Sequence, residues 1–272
     1  MQATIRELRP IPQQLQDIPV PPGRLWIRGT MPRTVGIAIV GSRRPTAYGR
    51  RIAALLAGRI AAAGLPVVSG LAFGIDAIAH AAALEVAGAS VAVLPTGLHD
   101  DDISPRTNLK LAQRIALLGA LVSEYPAGTP SRKYHYEARN RLIAGLARTV
   151  VVVEASRPSG TLMTARHAGE QGRDVWAVPG PIDSDQSLGT NWLISQSANP
   201  LVSIDEFLAV YGIKHIQAPQ QGVAAHLSQS AIHFDELVMQ SKKPAAEVEA
   251  ELMKLELTGM VRHLGDRYYA LS

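Results

Sequence analysis

TVGIAIVGSRRPTAYGR, residues Thr34 to Arg50, decides how the rest of the chain is read. Val35 to Val40 is a short apolar run rich in Val and Ile, which predicts a strand covered on both faces within a parallel sheet. At Gly41 the chain turns polar and basic through Ser42, Arg43 and Arg44, Pro45 and Thr46 punctuate the turn, and a helix begins at about Tyr48. A strand that feeds a helix through a glycine turn aims backbone N–H groups and the positive end of a helix dipole above the carboxyl edge of the sheet. Ser42 and Arg43 make that spot an anion receptor. Taken alone, so short a motif fits a plain turn with solvated arginines about as well.

Working outward, the same strand–glycine–helix pattern recurs. Leu65 to Ser69 runs into Gly70 and Gly74. Ser90 to Leu94 runs into PTGL and a helix from about Pro105 to Leu118. Ala120 to Ser123 is a further strand, followed by a proline-rich loop from Glu124 to Lys133 and a helix from Tyr136 to Leu146. Strands at Thr149 to Glu154 and Asp174 to Val178, then short helices at Asn191 to Ser197 and Ile204 to Tyr211, complete residues 34–212. This alternation predicts an α/β fold with a doubly wound parallel sheet and a ligand crevice at the carboxyl ends of its strands. Upstream, residues 1–33 hold Pro10, Pro12, Pro19, Pro21 and Pro22 and read as an extended lead-in along the surface, with Leu25 to Arg28 as a candidate edge strand.

Downstream, polar, glutamine-rich residues 213–222 read as a linker. Residues 223–272 combine helical segments with a hairpin, MVRHLGDRYYAL, which has Gly265 and Asp266 at its turn. That combination predicts a small C-terminal winged-helix-like domain. Its candidate recognition helix, about Ala245 to Leu257, keeps Val248, Leu252 and Leu255 on one apolar face. It exposes Glu247, Glu249, Glu251 and Glu256 against Lys254. Phosphates would repel such a helix, so it is read as a protein-contact element.

Composition narrows the chemistry. The chain has 272 residues, 47% of them apolar, enough for a sizeable core, and a formal charge of +4, compatible with a local phosphate-contacting patch. It has no cysteine, which excludes disulfides, thiol catalysis and Cys-ligated metals. No apolar run approaches the roughly 18 residues of a membrane span, and no signal-peptide pattern is present, so a cytoplasmic protein without membrane partners is expected. G-x-G-x-x-G, Walker A, H-E-x-x-H and G-x-S-x-G motifs are all missing. His80, His99, His135 and His167 share no metal-like spacing, and Asp100, Asp101 and Asp102 read as a solvated loop.

What remains favours phosphate: Arg43 and Arg44 on the first loop, Lys133, Arg139 and Arg141 around the Tyr136 helix, and Ser159, Gly160 and Thr161 opening another helix. Tyr134 and Tyr136 lie among these cations, the arrangement that stacking of an unpaired base requires. A duplex hides its base faces, so the predicted partner is a single strand. For Arg139 the competing reading is a pairing with Glu137 or a neighbouring carbonyl.

GSRRPTAYG, SGLAFGIDAIAH, PTGL, SEYPAGT, YEARNRLIAGLA, VVVEASRPSGTLMTA, VWAVPG and GTNWLI stand in an order and spacing that resembles the DNA-processing protein A family (DprA, also called Smf). The resemblance covers about Pro12 to Leu208. It implies an extended Rossmann-like domain that binds single-stranded DNA, forms a homodimer and helps load the RecA recombinase onto DNA taken up in natural transformation, with no cofactor and no enzymatic activity. Carried over by motif, it places DNA contacts on Gly41, Ser42 and Arg43, on Lys133 and Tyr136, and on Arg139, Asn140 and Arg141. Two departures bear on loop geometry: Ser104-Pro105 stands for the family's Tyr-Pro, and Ser197-Ala198 for its Gly-Ala. The alternative is a nucleotide phosphoribohydrolase-like enzyme, whose PGG-x-GT loop resembles Pro158 to Thr161. The paired glycine and the following glutamate of that loop are missing here.

Overall fold

The computed structural model of the protein describes residues 4–213, 222–228, 231–257 and 260–271. The chain divides into two units, Met1–Ile213 and Lys214–Ser272. In the first, chain order runs β1 (Ile5–Glu7), α1 (Gln13–Gln16), β2 (Trp26–Gly29), β3 (Gly36–Val40), α2 (Ala47–Ala62), β4 (Val67–Ser69), α3 (Ile75–Glu85) and β5 (Ser90–Val93). It continues with α4 (Leu109–Leu118), β6 (Ala120–Ser123), α5 (Lys133–Gly145), β7 (Ala147–Val152), α6 (Gly160–Glu170), β8 (Asp174–Ala177), α7 (Leu188–Ser195), β9 (Asn199–Pro200) and α8 (Ile204–Val210).

One nine-stranded sheet results, in the order β1-β2-β6-β5-β4-β3-β7-β8-β9. From β6 to β9 every neighbouring pair is parallel. The chain therefore leaves β3 in one direction through β4, β5 and β6, then returns to β3's other side with β7. That reversal makes the carboxyl ends of β3 and β7 the switch point, where an open α/β sheet holds its ligands.

The apolar run of β3 behaves as its composition requires, because all five of its residues are buried. Ile37 and Ile39 enter a core with Leu56 and Ile60 of α2 and Phe207 of α8. Ala38 and Val40 enter the opposite core with Leu142 of α5 and Ala165 of α6. Side chains that alternate between two covered faces explain why the run shows no polar residue. Fully burying one such Ile is worth about 1.5–3 kcal/mol.

The first 33 residues correct the sequence reading. They are not a surface lead-in: β2 pairs antiparallel with β6 and β1 antiparallel with β2, so the sheet is parallel only from β6 onward. Leu8, Leu15, Ile18, Leu25 and Ile27 are buried in the same core as β3. The candidate strand at Leu25 to Arg28 is present as β2, but it is not the edge, because β1, a strand of three residues too short to show alternation, pairs outside it. The departure at Ser197 also has a backbone counterpart, because that serine holds φ +74°, a conformation that suits glycine.

The second unit holds β10 (Ile232–His233), α9 (Phe234–Ser241), α10 (Ala245–Leu257), β11 (Val261–His263) and β12 (Tyr268–Leu271), with sheet order β10-β12-β11. Val223, Leu227, Phe234, Leu237, Val248, Leu252 and Val261 form its core. Gly265, Asp266 and Arg267 all have positive φ at the hairpin turn. β10 was absent from the sequence reading, and within the predicted linker residues 214–221 lie outside the described residues. Among the described residues no helix is long and apolar enough to cross a membrane.

Candidate nucleic-acid interface at the carboxyl edge of the sheet

The loop between β3 and α2 is clamped from below. Gly41 packs on Ile75 so closely that a Cβ would lie 2.7 Å from its Cγ1. The Ser42 carbonyl accepts the Ile75 N–H at 3.1 Å, and the Ser42 hydroxyl accepts the Arg44 N–H at 3.0 Å. Gly74, at φ +75°, lies against the Ser42 carbonyl where any side chain would collide. Thr46 caps α2 by accepting the Gly49 N–H at 3.1 Å.

One expectation fails at this helix. The amino end of α2 is not an open anion receptor, because Glu154 fills it. Glu154 is 3% exposed, and its carboxylate accepts both the Thr46 N–H, at 3.0 Å, and the Thr46 hydroxyl. An internal anion already complements the dipole, so an incoming phosphate must be met by side chains. The signal was present in VVVEAS: one acid directly after the most β-branched strand.

Those side chains do converge. The Arg43 guanidinium lies over the Tyr136 ring, 5.6 Å from its centroid. Lys133 stands three residues before Tyr136 on α5, hence on the same side of that helix. Arg43, Arg44 and Lys133 are exposed, and among the described residues none makes an ion pair. α5 also begins without a side-chain cap at Arg132, so its first turn adds a positive helix end to the same rim. Loop and helix therefore join into a cationic edge that carries the Tyr136 ring, with the exposed Tyr134 on the same first turn of α5.

The RNR block behaves differently. Arg139 is only 5% exposed, and its Nη1 donates to the carbonyls of Gly70 at 2.7 Å and Val93 at 2.5 Å, the ends of β4 and β5. Burial pulls its pKa down to about 10, a shift opposed by the nearby Asp76. Asp76 is itself buried and accepts the N–H groups of Gly70 and Ala72, and burial raises its pKa against the pull of Arg139. A Cβ on Gly70 would collide with the guanidinium. Asn140 donates to the Gly160 carbonyl at 3.2 Å, and Arg141 pairs with Glu124 at 2.6 Å. Arg139 follows the second reading above, the neighbouring carbonyl, and all three residues brace the loops from inside.

Ser159, Gly160 and Thr161 divide in the same way. Ser159 caps its own helix by accepting the Thr161 N–H, while the Thr161 hydroxyl donates to the Gly41 carbonyl at 3.1 Å. Gly160 is exposed, with open space around its Cα. Neighbouring features serve structure. Asp100 pairs with the buried Arg28 at 2.5 Å and accepts from Gln113, so it is a loop anchor and not merely solvated. A groove of about 690 Å³ between α6, β8 and α7 includes Ser159 in its lining but neither Arg43 nor Tyr136. Among the described residues no cluster of three or more His, Asp or Glu is placed to hold a metal ion.

The fold and this rim define a Rossmann-like α/β protein whose basic, aromatic edge lies at the topological switch point and whose chain continues into a winged-helix unit. Residues 3–212 match the family model of DNA recombination-mediator protein A, and residues 214–267 match that of the DprA winged helix domain. The chain belongs to the DprA/Smf family. It is 38% identical to Protein Smf of Escherichia coli (strain K12), over 96% of this chain and 75% of that protein. It is 39% identical to DNA processing protein DprA of Bacillus subtilis (strain 168), over 76% and 70%. Among solved structures, DNA processing protein A from Helicobacter pylori, described for its single-stranded DNA binding mode, superposes with a TM-score of 0.70 at 31% identity, over 78% of this chain and 98% of that one. DprA from Streptococcus pneumoniae gives 0.69 at 37% identity, over 75% and 74%.

Proposed function

We propose that this chain binds single-stranded DNA along the rim formed by Arg43, Lys133 and Tyr136, and that it acts as a recombination mediator without catalysing a reaction of its own. In this reading Ser42 and Gly41 shape the loop that carries Arg43, Thr161 holds that loop through the Gly41 carbonyl, and the RNR residues hold the neighbouring loops at Gly70, Val93, Gly160 and Glu124. The protein protects incoming DNA and helps load the RecA recombinase during natural transformation, working as a cytoplasmic homodimer. The description of the Helicobacter pylori relative and the family's description as recombination mediators support this reading.

The observation that carries it is the Arg43–Tyr136 pair. A guanidinium held over an aromatic ring is orientated before any ligand arrives, so a phosphate can pair with the cation while a base stacks beside it. Each stacked base contributes roughly 1–3 kcal/mol without reading sequence. Each neutralised phosphate of a single strand contributes about 0.7 to the slope of log affinity against log salt. Titration of a labelled oligothymidine at two salt concentrations checks the reading. Arg43→Ala and Lys133→Ala are each expected to weaken binding and lower the slope by about 0.7. Wild-type slopes in both variants would remove the rim from the account.

A further inference from the structure

Phe73 sits on the short loop between β4 and α3 with half its surface, 50%, in solvent. The chain has three phenylalanines, and the other two, Phe207 and Phe234, are 0% and 4% exposed. Phe73 has no polar handle that would explain its place in water, and among the described residues no other ring touches it.

Its loop is unusually constrained. Leu71, two residues before, is fully buried yet holds φ +58°, a left-handed conformation that residues with a branched side chain rarely adopt. The Asn108 amide donates to the carbonyls of Leu71, at 3.0 Å, and Ala72. Asp76 accepts the N–H groups of Gly70 and Ala72, and Arg139 donates to the Gly70 carbonyl. On the other side of Phe73, Gly74 has φ +75° and is wedged against Ser42 and Arg43. Side-chain hydrogen bonds and two left-handed residues thus fix the backbone around a side chain that is itself left free. A rigid mount with an exposed aromatic ring is what pre-organised stacking needs.

The loop that carries Phe73 packs directly on the loop that carries Arg43, and Arg43 also covers Tyr136. We infer that Phe73 is a second stacking platform for an unpaired base, so that the rim receives a single strand with one base on Tyr136, a phosphate at Arg43 and another base on Phe73. This inference rests on the reading of the rim as a single-strand site. No partner atom is needed beyond the π-face that every base offers, so the platform is tolerant of sequence.

The test uses the full chain and a labelled twelve-nucleotide oligothymidine, with wild type, Phe73→Ala, Phe73→Leu, Phe73→Trp and Arg43→Ala measured at two salt concentrations. Phe73→Ala is expected to lose roughly 5- to 150-fold in affinity with an unchanged salt slope, because no phosphate contact is removed. Phe73→Leu is expected to lose nearly as much, and Phe73→Trp to bind at least as well as wild type. Thermal midpoints, read alongside, should stay near wild type because the side chain is exposed. If Phe73→Ala binds like wild type while Arg43→Ala is weakened, the second platform is wrong and the rim stands. Wild-type affinity in Phe73→Leu alone replaces stacking by simple apolar contact and also overturns the inference. Should Arg43→Ala bind normally as well, the rim itself is wrong.

Discussion

Arg43 and Arg139 come from two stretches that look alike on paper, GSRRP and EARNR, yet the fold gives them opposite surroundings. Arg43 rides on a loop at the rim with a tyrosine ring as its neighbour and solvent around it. Arg139 lies beneath that rim, 5% exposed, with two strand-end carbonyls and a buried carboxyl for company. A cation left in water is free to take a phosphate. A cation enclosed by fixed acceptors holds loops in place, and its removal strands those acceptors. The pair shows that a basic residue in a binding motif can serve the ligand or the scaffold, and that burial decides which.

The largest effect is expected where that comparison is pushed hardest. Arg139→Leu leaves the Gly70 and Val93 carbonyls without a donor and Asp76 without its positive neighbour. Urea unfolding is expected to show a loss of about 3–5 kcal/mol. Arg43→Ala, measured in the same way, should change stability by no more than about 0.5 kcal/mol while DNA affinity falls. Equal stability losses in the two variants would break the comparison.

A smaller effect sharpens it. His80 on α3 is fully buried against Ser90, Nδ1 to Oγ 2.7 Å, and burial, aided by the nearby Arg139, pushes its pKa down to about 3. The unfolded chain takes up a proton below about pH 6.5 while the folded chain does not. The contribution is therefore complete above pH 6.5 and is lost as pH falls toward 3, about 2 kcal/mol of it by pH 5. Asp76, whose pKa is raised, acts in the opposite direction, so the difference between wild type and His80→Asn isolates the histidine. Unfolding curves from pH 7 to 5 should fall less steeply for His80→Asn, and parallel curves would refute the buried neutral histidine.

Much of the architecture was legible in the sequence because the central strands β3 and β4 are covered on both faces and so read as apolar runs closed by glycine, and because strand-like and helix-like stretches alternate from β3 to β8. The same logic fails for β1 and β10, strands of three and two residues whose pairing depends on distant partners, while β2 was expected at about the right place but as an edge strand, and β1 covers that edge. At the site, composition identified which residues favour phosphate but not which way α5 turns, and that rotation sends Tyr136 to the rim and Arg139 inward. Glu154 and Asp76 had a visible signal, a single acid within an apolar stretch. Phe73 had none, because an aromatic beside glycines reads equally well as core.

The central claim is that a single strand lies across Arg43 and Tyr136. Photocrosslinking of a halouracil-substituted single strand to the full protein, followed by tryptic mapping, tests it most directly. The account predicts the principal adduct in YHYEAR, Tyr134 to Arg139, with loss of that adduct in Tyr136→Ala. Adducts confined to residues 222–271, or to the groove between α6 and α7, would contradict it.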